Sequence, residues 1–428
     1  MLSKSLVAAA TVVGVAHAWL PWDRDMHLFN GTARAVEGRS LPDVTKIRGV
    51  NLGSWLVAEP WMMGNSWSDM GCSDQCSEFD CMSSVYGSDR ATGNQKFQDH
   101  WANWIKPSDL DTIKSWGLNT IRIPVGYWIY RDIVDDSEPF AEGQLDYLDA
   151  MVAHAQEIGL FVVMDLHGAP YAQKPGDAFT GQCAGSAGFF QQSQYDRAAK
   201  FLGWMANRIH STPDKYGSTG ILEVVNEPLS DHDNGGQTDD ERNTLTQNFY
   251  PQALQAVRDA EAALNVPAEK QLHVQFMDKQ WQSGDPKASL PADSAVMLDD
   301  HNYVKGALGS GKQQGDYMYY SCFTDNRQDS ADGDSPKAVQ EWSLTVNDET
   351  TPEFDTNSQQ YFYQSWFAAQ VQLYEKTNGW IYWSLRNEFN DYRWSYELAV
   401  QNNIVPTDSA GLDAVQTNGI CQSWFPNN

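Results

Sequence analysis

Two glutamates carry the chemistry this chain could perform. Glu227 stands in Ile221-Leu-Glu-Val-Val-Asn-Glu-Pro228 and Glu341 in Ala338-Val-Gln-Glu-Trp-Ser343, each at the end of a short β-branched run. A strand that delivers a Glu at its C-terminal end places it on the rim of a barrel, where the catalytic groups of (β/α)8 enzymes collect. A pair of such carboxyls suits hydrolysis of a glycosidic bond, one as proton donor and the other as nucleophile or base. Either glutamate alone reads as a solvated loop residue, so the weight lies on the order and company in which they occur.

Other strand ends supply that company. Arg122, inside Ile-Arg-Ile-Pro, is costly within a barrel unless paired and is expected to brace an acidic catalytic group. His167, closing Asp165-Leu-His-Gly, is placed to donate to a sugar hydroxyl, or else is a satisfied core histidine. Asn226 precedes Glu227, where its amide would hydrogen-bond a sugar 2-hydroxyl. In His301-Asn-Tyr303 the phenol would orient Glu341 and keep it ionised. Trp383 would give the sugar at the cleavage point a stacking floor, with plain packing as the alternative. Every strand end except the fifth presents such a group, all at one rim.

The positioning elements read as eight strands: Ile47 to Leu52, Thr120 to Val125, Leu160 to Leu166, Leu222 to Val225, Leu272 to Phe276, Val296 to Leu298, Ala338 to Gln340 and Trp380 to Trp383. Helical periodicity falls between them over Leu110 to Trp116, Leu145 to Ile158, Tyr195 to Ile209, Leu245 to Leu264 and Tyr361 to Tyr374. The alternation predicts an α/β protein, a single (β/α)8 TIM barrel over residues 19–428 with insertions in the βα loops. The fifth-to-sixth and sixth-to-seventh connections have no clear helical signal. Ser230 to Glu241 reads as a rim loop, and the longest insertion lies between the first two strands.

The 428 residues carry a formal net charge of −27, which repels phosphate backbones and anionic lipid and leaves a neutral polysaccharide unaffected. Nucleic acid and membrane are therefore excluded as expected partners, and a monomer is expected. The 17 Trp suit a carbohydrate site, although most are expected to pack. Lys4, the apolar run Leu6 to Val15 and Ala16-His17-Ala18 predict a secretory leader over residues 1–18, with the mature chain starting at Trp19. The run is shorter than the roughly 20 residues a membrane span needs. Export, to the medium or cell wall, makes disulfides possible for the six Cys. Cys72, Cys76 and Cys81 crowd one insertion, where a zinc site is the rival reading but its ligand spacing is poor. Neither metal nor cofactor is expected. Asn30-Gly-Thr32 is an N-glycosylation sequon.

The set Arg122, His167, Asn226-Glu-Pro228, His301, Tyr303, Glu341 and Trp383 resembles glycoside hydrolase family 5, whose members are (β/α)8 retaining glycosidases. Within it, Gly49-Val-Asn-Leu-Gly-Ser-Trp-Leu-Val-Ala-Glu-Pro60 and Asp165-Leu-His-Gly-Ala-Pro170 are similar to the fungal exo-β-1,3-glucanases, as are Trp394-Ser-Tyr396, Asn403-Ile-Val-Pro406 and Cys421. The likeness spans nearly all of the mature chain. It implies Glu227 as acid/base and Glu341 as nucleophile, with Arg122, His167, Asn226, His301, Tyr303 and Trp383 lining the subsite for the sugar being cleaved. It also implies that Glu59 holds the non-reducing terminal glucose and blocks the cleft for exo action, and that Cys322 pairs with Cys421. Three departures stand out: the loop Tyr171-Ala-Gln-Lys-Pro-Gly-Asp-Ala-Phe179, in which Phe179 or Tyr171 would replace a stacking group; Val304-Lys-Gly306, without the subgroup's entrance aromatic; and the Cys72 to Cys81 cluster. An endo-β-1,4-glucanase or mannanase, a β-glucan transglycosylase and an inactive glycan-binding barrel are the alternatives.

Overall fold

The computed structural model describes residues 41–229, 238–291, 296–326 and 335–427. The expected leader, the start at Trp19, the Asn30 sequon and most of the Ser230 to Glu241 loop lie outside them. Eight parallel strands close into a barrel in chain order: β1 (Ile47–Asn51), β2 (Thr120–Gly126), β3 (Phe161–Gly168), β4 (Thr219–Glu223), β5 (His273–Met277), β6 (Val296–His301), β7 (Lys337–Glu341) and β8 (Gly379–Tyr382). The closing seam pairs Ile47 with Gly379. Gly379 has φ 122°, and a Cβ there would stand 1.9 Å from the Ile47 carbonyl oxygen, so only glycine lets the barrel close.

Side chains alternate across each strand. On β3, Val162, Met164 and Leu166 face outward into the main core, while Phe161 and Val163 join Ile47, Ile221, Met297, Ala338 and Ile381 in a separate apolar cluster. The next residues on the inner face, Asp165 and His167, are polar and fully buried. The barrel interior therefore grades from an apolar floor to a polar roof, and the roof is where the rim chemistry sits.

Helices over Pro107–Ser115, Gln144–Ile158, Gln192–Ser211, Tyr250–Ala263 and Gln360–Tyr374 surround the sheet. Among the described residues, the β5–β6 connection has only 3-10 turns, Lys279–Trp281 and Pro286–Ala288, and β6–β7 has two short α-helices, Val304–Leu308 and Gln314–Tyr319, the second running on into a π-helical turn over Tyr320–Thr324. Strand β4 begins three residues earlier than the β-branched run suggested. Beyond its end, the Val224 and Asn226 amides still donate to the neighbouring strands, to the Gln275 and Leu166 carbonyls at 3.0 Å. Asn226 and Glu227 thus stand beyond the strand on the rim.

Three disulfides join Cys72 to Cys81, Cys76 to Cys183 and Cys322 to Cys421. The pairing implied for Cys322 is present, and pairing of the cluster's sulfurs removes the zinc reading. Cys76–Cys183 fastens the β1–β2 insertion to the loop after β3.

Candidate active site

Arg122 organises the roof. It is fully buried, donates to Glu341 Oε1 at 2.8 Å, to Glu223 Oε2 at 2.8 Å and to Asn226 Oδ1 at 2.9 Å, and lies 3.1 Å from Asp165. Burial alone would lower its basicity, but Asp165, Glu223 and Glu341 more than restore it, so the guanidinium is a permanent charge. The bond to Asn226 Oδ1 turns the Asn226 Nδ2 donor toward other partners.

Glu341 accepts from Arg122 on Oε1 and from the Tyr303 phenol on Oε2 at 3.0 Å. Burial, with the charges of Glu341 and Glu227, holds the Tyr303 proton well above its usual range, so the phenol is a donor here. Glu227 accepts from His301 Nδ1 at 2.8 Å on Oε1, and its Oε2 lies 3.6 Å from Lys174 Nζ. The ring of His301 also meets Asp299 at 3.2 Å through Nε2 and Glu341 at 3.4 Å through Nδ1. Burial opposes its charge, but Glu341, Asp299 and Glu227 outweigh that and hold it protonated.

Oxygen atoms of Glu227 and Glu341 lie within 4.8 Å of each other, with a His301 nitrogen inside the same distance of both. Two carboxyls at that range share protons as a pair. Burial raises Glu227, but the His301 hydrogen bond and the Lys174 charge win and bring it down to about 2. Glu341 is raised by burial, against the pull of His301 and Arg122, with the charge of Glu227 adding to the rise. Glu227 itself has φ 41°, a left-handed conformation that costs a non-glycine residue about 1–3 kcal/mol and that recurs at functional sites.

His167 donates from Nδ1 to Asp165 at 2.7 Å and lies nearly parallel to Trp383, with 5.5 Å between ring centroids and 8° between planes. Burial pushes it down to about 3, so it is neutral, with Nε2 left for another partner. Glu59 is buried; Oε2 accepts from the Trp61 indole at 2.9 Å, and Oε1 has no hydrogen-bond partner among the described residues. The nine residues singled out in the sequence thus converge on one rim.

Sequence reasoning missed several others. Trp281, after β5, stands edge-on to His301 at 5.6 Å, so the fifth strand end contributes as well. Lys174 lay in the atypical loop but no pattern marked its partner. Trp61 and Trp394 pack edge-to-face at 5.1 Å, and Trp394 adjoins Tyr303 at 5.7 Å. Of the two stacking candidates, Phe179 is buried edge-on against His167 and Tyr171 is exposed.

A family model described as cellulase (glycosyl hydrolase family 5) matches residues 85–389. The chain is 43% identical to the probable glucan endo-1,6-β-glucosidase B of Neosartorya fischeri, over 97% of this chain and 100% of that one. It is 42% identical to the glucan endo-1,6-β-glucosidase B of Emericella nidulans, over 98% and 100%. The probable glucan 1,3-β-glucosidase A of Aspergillus niger is 28% identical over 84% of this chain and 87% of that one. Among solved structures, rutinosidase from Aspergillus niger shares the fold, with a TM-score of 0.67 at 20% identity over 84% of this chain and 97% of that one.

Proposed function

The chain belongs to glycoside hydrolase family 5, and from that premise we propose that it is a secreted retaining β-glucanase that cleaves within β-1,6-glucan. The observation that carries the reaction type is the spacing of Glu227 and Glu341, whose oxygens approach within 4.8 Å. Retaining enzymes hold their carboxyl groups about 5–5.5 Å apart, whereas inverting ones leave room for a water and need more than about 6.5 Å.

In this mechanism Glu341, aligned by Arg122 and Tyr303, attacks the anomeric carbon as Glu227 protonates the departing glycosidic oxygen. Water then attacks the glycosyl ester, giving its proton to Glu227 and releasing Glu341. The proton that Glu227 gives up in the first step is thus returned to it by water in the second, and His301, which touches both carboxylates, orients Glu227 toward the glycosidic oxygen. Asn226 Nδ2 meets the 2-hydroxyl, and His167 Nε2 another hydroxyl, while Trp383 forms the floor. Glu59 Oε1, buried without a hydrogen-bond partner among the described residues, accepts a hydroxyl of the bound sugar. No step uses a metal or cofactor.

Linkage rests on the relatives: those at 42–43% identity over nearly the whole chain are described as endo-1,6, while the 28% relative is described as 1,3. Endo-1,6 cleavage therefore replaces the exo-1,3 expectation, which Glu59 and its Trp61 partner still favour as the second reading. Three disulfides and the expected leader support action outside the cell. Product analysis on pustulan and laminarin, with Glu341→Gln as control, tests this. Gentio-oligosaccharides from pustulan alone are expected; glucose as the sole product of laminarin would restore the exo-1,3 reading, and no product from either would sink both.

A further inference from the structure

We propose that Lys174 grips the glucose unit on the leaving side of the scissile bond, its ammonium donating to a hydroxyl of that sugar from beside the Glu227 carboxylate. The inference rests on the retaining reading above and goes beyond it by assigning a residue to leaving-group recognition.

Four observations carry it. The first is the side of Glu227 on which Lys174 lies. Glu227 Oε1 is taken by His301, whose Nδ1 also approaches Glu341, so that edge of the carboxyl faces the nucleophile. Oε2 faces Lys174 at 3.6 Å. A leaving oxygen departs away from the nucleophile, so the sugar attached to it passes over the Oε2 edge.

The second is that Lys174 is held in place. Asp177 meets its ammonium at 3.1 Å, and the rings of Phe179 and Trp281 lie 5.1 and 6.0 Å away. The third is the backbone beneath it. Gln173 is fully buried, donates to the His167 and Asn226 carbonyls at 2.6 and 2.9 Å, and accepts from the Ala169 amide, which pins this loop to the ends of β3 and β4. Cys76–Cys183 ties the same loop from its far side.

The fourth is donor capacity. An ammonium has three donors, Asp177 and Glu227 take two directions, and the contact to Glu227 is longer than a hydrogen bond. A hydroxyl entering there completes the set. Trp281 beside it offers an apolar face to the same sugar.

Occupancy of Lys174 by a sugar also acts on Glu227. The charged or titratable groups around that carboxyl are His301 and Tyr303 from the β6 end, Lys174 from the loop after β3, His167 from β3, Glu341 from β7 and Glu59 from the loop after β1. Lys174 and His301 are the cations in contact with it. Removing one raises the proton affinity of Glu227.

The test uses the full secreted chain with Lys174→Met and Lys174→Arg, comparing kcat/KM on a β-1,6-gluco-oligosaccharide with that on an aryl β-gentiobioside, whose leaving group is not a sugar. Loss of a charged hydrogen bond predicts a fall of about ten- to a hundredfold on the oligosaccharide for Lys174→Met, exceeding its fall on the aryl substrate by at least about tenfold. The alkaline limb of its pH profile should rise by about one unit. Lys174→Arg should recover most of the rate and the original limb. Equal losses on both substrates with the limb unmoved would overturn the proposal, as would no loss. Thermal unfolding of each variant separates misfolding from either result. If the unaltered enzyme cleaves neither substrate, it is the retaining β-1,6-glucanase reading that fails, and this is read before any variant is compared.

Discussion

At the scale of single residues, the site is a contest over protons between groups that each bind one partner too many. Glu341 accepts from a guanidinium and a phenol, and it is the phenol that can be removed without emptying the barrel. Tyr303→Phe deletes one donor to a charged oxygen, worth about 1.5–3 kcal/mol, so kcat/KM should drop about ten- to a hundredfold in steady-state assays. A change under twofold would show that Arg122 alone aligns Glu341. The left-handed backbone of Glu227 adds a second constraint, because the chain must be held there from both sides. Gln173 supplies the holding on both, donating to the Asn226 carbonyl before it and accepting from the Leu229 amide at 2.9 Å after it.

At the scale of elements, the two long loops on the rim act as one piece. Cys76–Cys183 closes 107 residues of chain, and a bridge over a loop of that size stabilises by about 2–5 kcal/mol. The double variant Cys76→Ala/Cys183→Ala should therefore unfold several degrees lower by calorimetry, and an unchanged midpoint would deny the bridge that role. The strands were legible in the sequence because parallel strands buried on both faces leave continuous apolar runs, as in Phe161-Val-Val-Met164. Strand β4 was read three residues late because Thr219-Gly220 carries no such signal, while Val224-Val225 carries it and packs in the outer core instead. The β5–β6 segment gave no helical period because it holds only 3-10 turns among its described residues. Most of the site was readable for a different reason: its groups close strands, apart from Arg122 within β2 and Glu59, which lies in the loop after β1 and was marked by the family resemblance. Lys174, Trp61 and Trp281 come from loops, whose paths no periodicity encodes, and so they were not.

At the scale of the whole molecule, acid groups buried without full compensation set the pH range in which the fold is secure. Burial pushes Glu78 up to about 8, against the Ala141 amide and the Arg131 and Arg90 charges. Burial likewise takes Asp165, Glu223 and Asp299 to about 7, with Arg122 opposing it in each and neighbouring carboxylates adding to the rise. A folded-state value above the unfolded one means that the folded chain binds more protons. Their contribution is therefore whole below about pH 4 and is lost as pH rises toward 7 and 8. The unfolding midpoint should fall between pH 5 and pH 8.5, and Glu78→Gln should flatten the upper end of that decline; a midpoint that climbs with pH would contradict this. The disulfides have a consequence of another kind, for how the polymer is connected. Residues 72 to 183 and 322 to 421 lie within covalent rings, so a single cut of the backbone between Cys81 and Cys183, or between Cys322 and Cys421, leaves one molecule. A cut between Glu227 and Cys322 leaves two, with Glu227 on one fragment and Glu341 on the other, and there only the noncovalent contacts of the barrel, its ladders and its shared core, keep the pair together.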